Sequence, residues 1–281
     1  MLRNQAKVQG IALIAVLWIV AALSIAVTGI TRTVRNETRS IAAERDEVMA
    51  QAVGEAAITL LLQKLEAEGP QKSWELIHIT YGGMTIPVEM SSLNGWIDLN
   101  RAPEPLLQSL YAIAGGLPPQ AAASLARATV ESRSHVDTSG RPQEFEAAED
   151  LMRLSAVDYD LYARLAPLVM VQGRGGGRVN PMAAPLGVLT VLADGNQARA
   201  QAIFQQRSQG AQNIDTTTLR GEFLESAPGS SYRIKAYIPL SDGTRAVVSR
   251  DVELRSEPLV VLPWSFFGAD YRVQVEPVIG P

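Results

Sequence analysis

The chain has 281 residues, of which 47% are hydrophobic and 19% charged, with a net charge of −4 and no cysteine. That is ample material for a buried core, and so small a charge gives no basis for gripping nucleic acid in bulk or an acidic lipid surface. Without cysteine there is no disulfide staple, no thiol nucleophile and no thiolate metal ligand.

Residues 1–10 form a leader whose only charged side chains are Arg3 and Lys7. Ile11 to Ile30 then runs 20 residues without a charge. At ~1.5 Å per residue, such a helix spans roughly the 30 Å of bilayer hydrocarbon. A secretory signal has a shorter apolar region of about 7 to 15 residues, although Ser24-Ile25-Ala26 would serve as its small-x-small cleavage site. On these residues alone three fates stay open: a discarded signal peptide, an ordinary single-pass anchor, or a retained anchor whose leader is trimmed. Arg32, Arg35, Arg39 and Arg45 on the far flank balance the leader's charges, so positive residues do not orient the segment.

Helical character continues past the apolar run. From Ile11 to Glu68 there is no proline, only Gly29 and Gly54 interrupt, and apolar residues recur at Ile30, Val34, Ile41, Val48 and Ala52, mostly in steps of three, four or seven. The pattern predicts one long helix over 11–69, closed by Gly69-Pro70, that lays a stripe on a globular head. Its membrane-proximal part, Ile30, Val34, Ile41 and Val48, reaches beyond any head starting near residue 70 and is expected to pack on neighbouring helices as a bundle.

A β-hairpin is predicted next, with the runs of "WELIHITYGGMTIPVEM" (74–90) folding about Gly82-Gly83. Near the C-terminus "SYRIKAYIPL" and "RAVVSRDVEL" flank a second turn at 241–244, and "YRVQV" (271–275) alternates again. Between these blocks, 98–208 reads as helical, in the runs "PEPLLQSLYAIA", "PPQAAASLARATVESR", "AAEDLMRLS", "DYDLYARLAPLVM" and "APLGVLTVLADGNQARAQAIFQQRSQG". The expected fold class is therefore α+β: a long N-terminal helix (11–69, its 11–30 part membrane-spanning) on an antiparallel sheet built from 70–97 and 209–281, with an inserted all-α module at 98–208. Within the insert "NGWIDLNRAPEPLLQSL" and "RGGGRVNPMAAPLGVLTVL" echo each other, and Asn100 and Asn180 are expected to cap the helices that follow.

The leader ending in Gly10, the apolar "IALIAVLWIVAAL" directly after it, the proline-free helix and the pair "DLNRAPEPLLQSL" and "VNPMAAPLGVL" together resemble the K minor pseudopilins of bacterial type II secretion systems, also called general secretion pathway protein K. The resemblance covers nearly the whole chain and is loosest over 209–281. It implies a pilin-like fold, cleavage by prepilin peptidase between Gly10 and Ile11, an anchor retained in the inner membrane and a head in the periplasm. Further implications are a non-enzymatic role at the pseudopilus tip, in export of folded proteins, and partnership with the I and J minor pseudopilins and the major pseudopilin. Ala15, fifth after the cut, stands where most pilins carry glutamate; K subunits typically lack it.

Other chemistries fit less well. "LYAIAGGLPPQAAASLARA" resembles a helix-hairpin-helix (SAM-like) module, which makes a secreted nucleic-acid binder with a cleaved signal peptide the alternative. Residues 98–205 carry nine Arg and no Lys against eleven acidic residues, and Pro118-Pro119-Gln120 stands where a DNA binder would want cations, so no nucleic-acid partner is expected. "QGRGGGR" (172–178) matches neither phosphate-loop nor dinucleotide templates and reads as a flexible joint. His78 and His135 are the only histidines; "SRSHVD" packs its residues too close in sequence for a triad, and zinc would have to be completed by carboxylates. No cofactor is expected. Calcium, which some K subunits bind, would draw on Asp137, Glu144, Glu146, Glu149, Asp150, Asp158 and Asp160, but these show no EF-hand spacing.

Overall fold

A computed structural model describes residues 5–70, 72–136, 142–171, 176–211, 213–226, 229–255 and 263–275; within the first helix, side chains are described at 16–24 and from 41 onward. That helix, α1 (Gln5–Glu68), is continuous. Gly69 takes φ +69°, the left-handed conformation a glycine adopts without strain, and its N–H closes the last turn on the Leu65 carbonyl.

β1 (Trp74–Tyr81) and β2 (Met84–Ser92) form the first hairpin, with Gly82 and Gly83 at positive φ in the turn. The chain returns to the sheet only with β5 (Ser231–Pro239), β6 (Thr244–Leu254) and β7 (Trp264–Val275). β7 starts well before the alternation at 271–275 on which it was recognised. The five strands lie antiparallel in the order β1-β2-β5-β6-β7. The fold is α+β, as expected.

One face of the sheet carries α1. Ala50, Val53, Ala57, Ile58, Leu61, Leu62 and Leu65 are buried against Ile86, Val88, Met90, Tyr232, Ile234, Ala236, Ala246 and Val248. Each fully buried Leu or Ile contributes about 1.5–3 kcal/mol. The helix approaches so closely that a Cβ on Gly54 would lie 2.5 Å from Val248 Cγ2. This stripe is not the one read from the sequence. Ile41, Val48 and Ala52 are exposed, and 3.6 residues per turn puts Ile41 and Val48 about 140–160° around the helix from Leu61. The heptad steps that linked them follow the opposite side, because the head-facing residues recur in steps of three and four.

The intervening module has its own core, drawing on residues from Ile97 to Phe223. It contains β3 (Ile97–Asp98), paired in parallel with β4 (Val169–Met170), and helices α2 (Glu104–Ile113), α3 (Pro119–Ser134), α4 (Tyr159–Leu165), α5 (Leu186–Leu192) and α6 (Gln197–Ser208). A buried bond of 2.8 Å between the Tyr111 and Thr129 hydroxyls ties α2 to α3. Burial pushes the Tyr111 phenol up to about 12.

Several local expectations need correcting. "AAEDLMRLS" forms a 3-10 turn at Ala148–Arg153, with Asp150 accepting from the Glu146 and Ala147 amides. The helix begun at Tyr159 gives way at Leu165 to a 3-10 turn over Ala166–Leu168, which holds Pro167, and then enters β4. The last helical run is two helices, broken at Asp194-Gly195, both at positive φ. Neither Asn100 nor Asn180 caps a helix: α2 and α5 start after Pro103 and Pro185. Asn100 instead staples distant backbone, donating to the Phe145 and Val171 carbonyls at 2.9 and 2.8 Å and accepting from the Phe145 amide at 2.8 Å. Asn180 accepts from the Met182 amide and donates to Ser73 Oγ at 2.9 Å.

Candidate assembly surface

α1 passes through two environments. At 16–24, Val16, Leu17, Trp18, Ile19, Val20 and Leu23 are all more than half exposed, Trp18 at 71%. Ser24, the polar residue of that stretch, returns its hydroxyl to the Val20 carbonyl at 2.8 Å, which satisfies it without water. These uncovered side chains and the length of the helix are compatible with a membrane-anchored protein. Among the described residues, Ile41–Glu68 is long and apolar enough to cross a membrane. It is the helix of the head's core, its apolar stripe already sealed by the sheet.

The other sequence-derived positions divide between described and undescribed residues. Gly10, Ile11 and Ala15 lie within the α1 backbone, but their side chains, and those of Ile30 and Val34, are outside the described residues. Ile41 and Val48 are 66% and 68% exposed. The head does not cover them.

Where helical module and sheet meet, the contacts are cations on aromatic rings and buried polar bonds. Arg233 lies 4.9 Å over the Trp96 ring and binds Asp251 through two bonds of 2.7 and 2.8 Å, while Trp96 Nε1 donates to the Pro167 carbonyl at 3.0 Å. Arg207, buried at the end of α6, sits 5.3 Å from the Trp74 ring centre and donates to the Ala184 carbonyl at 2.7 Å. Burial lowers its pKa to about 10, opposed by the nearby charge of Glu89. Glu89 accepts from Trp74 Nε1 at 3.2 Å and from the Tyr237 hydroxyl at 2.5 Å. Burial first and the Glu89 charge second push Tyr237 well up. Gly95 lets the strands approach the module: a Cβ there would lie 2.5 Å from the Ala183 carbonyl oxygen. This joint is not legible in the sequence, since single Arg and Trp residues have no periodic signature.

The residues singled out for other chemistry are dispersed. His78, on β1, and His135, just after α3, are both exposed. Of the acidic set, Asp158 caps α4 by accepting the Leu161 amide at 2.7 Å, Asp150 holds its turn and pairs with Arg153 at 2.9 Å, and Glu149 accepts the Tyr162 hydroxyl at 2.9 Å. Glu144, Glu146 and Asp160 are exposed, and Asp137 is outside the described residues. Among the described residues, no three metal-ligating side chains converge. In "QGRGGGR", 172–175 are outside the described residues, while Gly177 is packed rather than free. At φ +79° its added Cβ would lie 2.0 Å from the Arg101 carbonyl oxygen.

No family model matches the chain, and no curated protein matches it. Among solved structures, it is similar to a chain in the crystal structure of the GspK-GspI-GspJ complex from the enterotoxigenic Escherichia coli Type 2 Secretion System. The identity is 15% and the TM-score 0.44, with 86% of this chain and 99% of that chain covered.

Proposed function

We propose that this chain is a K-type minor pseudopilin, a non-enzymatic component of the type II secretion pseudopilus tip. The observation that carries the reading is α1: one unbroken helix whose apolar side chains are uncovered at 16–24 and sealed by the sheet at 50–65. A soluble enzyme or nucleic-acid binder has no use for such a stalk. A fibre subunit stored in a membrane does, since lipid first and neighbouring helices later can take the uncovered half.

In this reading prepilin peptidase cuts between Gly10 and Ile11, the anchor stays in the inner membrane and the head lies in the periplasm. Glycine before the scissile bond lets the peptidase approach the backbone closely. Gly10→Glu is expected to block processing while leaving insertion intact. Ile30, Val34, Ile41 and Val48 then meet the helices of the I and J minor pseudopilins, with the major pseudopilin below. Ala15 favours a position with nothing above it, because a glutamate there would offset the N-terminal ammonium of the next subunit, and an unpaired charge in an apolar bundle is costly. The helical module adds bulk that a repeating shaft would struggle to fit.

Single cysteines at 34 and 41, in a chain with none, test the bundle. Disulfide crosslinks to matching cysteines in I or J are expected, and their complete absence would remove the bundle. A head-directed label should decorate one end of purified fibres; labelling at intervals along the shaft would contradict the tip position.

A further inference from the structure

The edge strand β7 is two-faced. Ala246 pairs with Val273, Val248 with Tyr271 and Val252 with Phe266, and the three β6 residues are buried in the core beneath α1. Cross-strand partners share a face, so Trp264, Phe266, Ala269, Tyr271, Val273 and Val275 form an apolar row on the α1 side. Asp270, Arg272 and Gln274 point the other way. Phe267 interrupts the alternation at a bulge opposite Asp251 and Val252, but from Ala269 to Val275 it is regular, as in a strand with one face covered. Trp264 and Tyr271 pack partly against that core, yet Phe266 is 47% exposed, Val273 53% and Val275 82%.

The uncovered margin is about one strand wide. Five strands at about 4.8 Å spacing make a face roughly 20–24 Å wide, and one helix of about 10 Å diameter covers half of it. α1 lies on β1, β2, β5 and β6, leaving the β7 margin open. A strand added to the β7 edge would extend the sheet in its plane and leave the apolar row bare. A second helix lying beside α1, at the usual 8–10 Å between axes, would cover it.

The wall that α1 presents to this groove sets acidic residues beside exposed apolar ones. Glu55 reaches Arg250 of β6, which fixes the side of α1 turned toward β7. Glu44 and Val48 lie about 20° from Glu55 around the helix, Ile41 about 40° and Glu47 about 80°, and all four are exposed. The Glu47 charge acts on Tyr271. We propose that the groove between α1 and β7 docks the amphipathic helix of a neighbouring chain, its apolar face on Phe266, Tyr271, Val273 and Val275 and a Lys- or Arg-bearing flank along Glu44 and Glu47. The groove is a property of the head; that its occupant is a neighbouring subunit's helix rests on the reading of the chain as a pseudopilin.

The test uses the full chain in membranes with the neighbouring pseudopilins co-expressed. A photocrosslinking benzoylphenylalanine replaces Val273 or, on the opposite face, Gln274. The expected result is an intermolecular adduct several-fold stronger at 273 than at 274, mapping to a helical segment rich in Lys or Arg. Glu44→Lys with Glu47→Lys should weaken it several-fold without changing the head's melting temperature. Equal adducts at both positions, an adduct to residues 276–281 of the same chain, or indifference to the charge reversal would overturn the proposal. The cysteines at 34 and 41 keep the two ideas apart. Crosslinks there with none at 273 remove the groove and leave the fibre reading, whereas an adduct at 273 without them leaves the groove and removes the bundle.

Discussion

The two halves of α1 are both apolar, but only the C-terminal half is buried by its own chain. From Ala50 to Leu65 the helix has a stripe in steps of three and four and closes a core with four strands. From Val16 to Leu23 apolar side chains surround it, and they are exposed among the described residues. Hydrophobicity that fills a single stripe calls for one packing surface, whereas hydrophobicity all round calls for a surrounding solvent of the same kind. One helix thus joins a folding problem solved within the chain to one left for lipid and partners.

Truncations sharpen this contrast most. Leu61→Ala, in the sealed half, should destabilise the head by about 2–5 kcal/mol through lost burial and a residual cavity. Leu17→Ala, in the uncovered half, should leave the head's unfolding unchanged. Chemical denaturation of both variants checks the pair, and equal losses would break the comparison.

Arg207→Ala should cost about 1.5–3 kcal/mol, the range for a charged hydrogen bond, because it removes the donor to the Ala184 carbonyl and the cation over Trp74. Trp74 fluorescence should change on that substitution. Gly54→Ala should destabilise by about 1–3 kcal/mol, although alanine is the better helix former, because the new methyl collides with Val248. A gain in stability would mean that α1 does not lie so close to β6.

The smallest effect concerns Glu225, a residue lining a cavity of about 780 Å³ with Arg178, Asn180 and Asp215. Burial raises its pKa above the ordinary 4.5. A raised carboxyl favours the folded state while protonated and loses that contribution as pH rises through the folded value. Glu225→Gln should therefore melt slightly higher than the native chain at pH 7, the advantage fading as pH falls toward 4.5.

What the sequence made legible was local and periodic. Gly69-Pro70 marked the end of α1, and Gly82-Gly83 and Asp242-Gly243 marked the hairpins, because chain reversal demands glycine at positive φ. Residues whose partners lie far along the chain were misread. Asn100 looked like a cap because its neighbours suit one, whereas its partners are Phe145 and Val171. Gly54 and Gly177 looked like an interruption and a flexible joint; both are glycine because another element passes too close for a Cβ. The long-helix site was legible as a stretch of sequence. Which side of the helix the head would take was not, since two apolar rows compete on α1 and only the sheet decides between them.

A pseudopilin keeps the apolar half of α1 and loses only residues 1–10. Intact-mass analysis of the mature chain from its native membrane tests this most directly. The account predicts a chain beginning at Ile11; one beginning at Val27, as a secreted protein would, or an intact Met1, as an ordinary anchor would have, would contradict it.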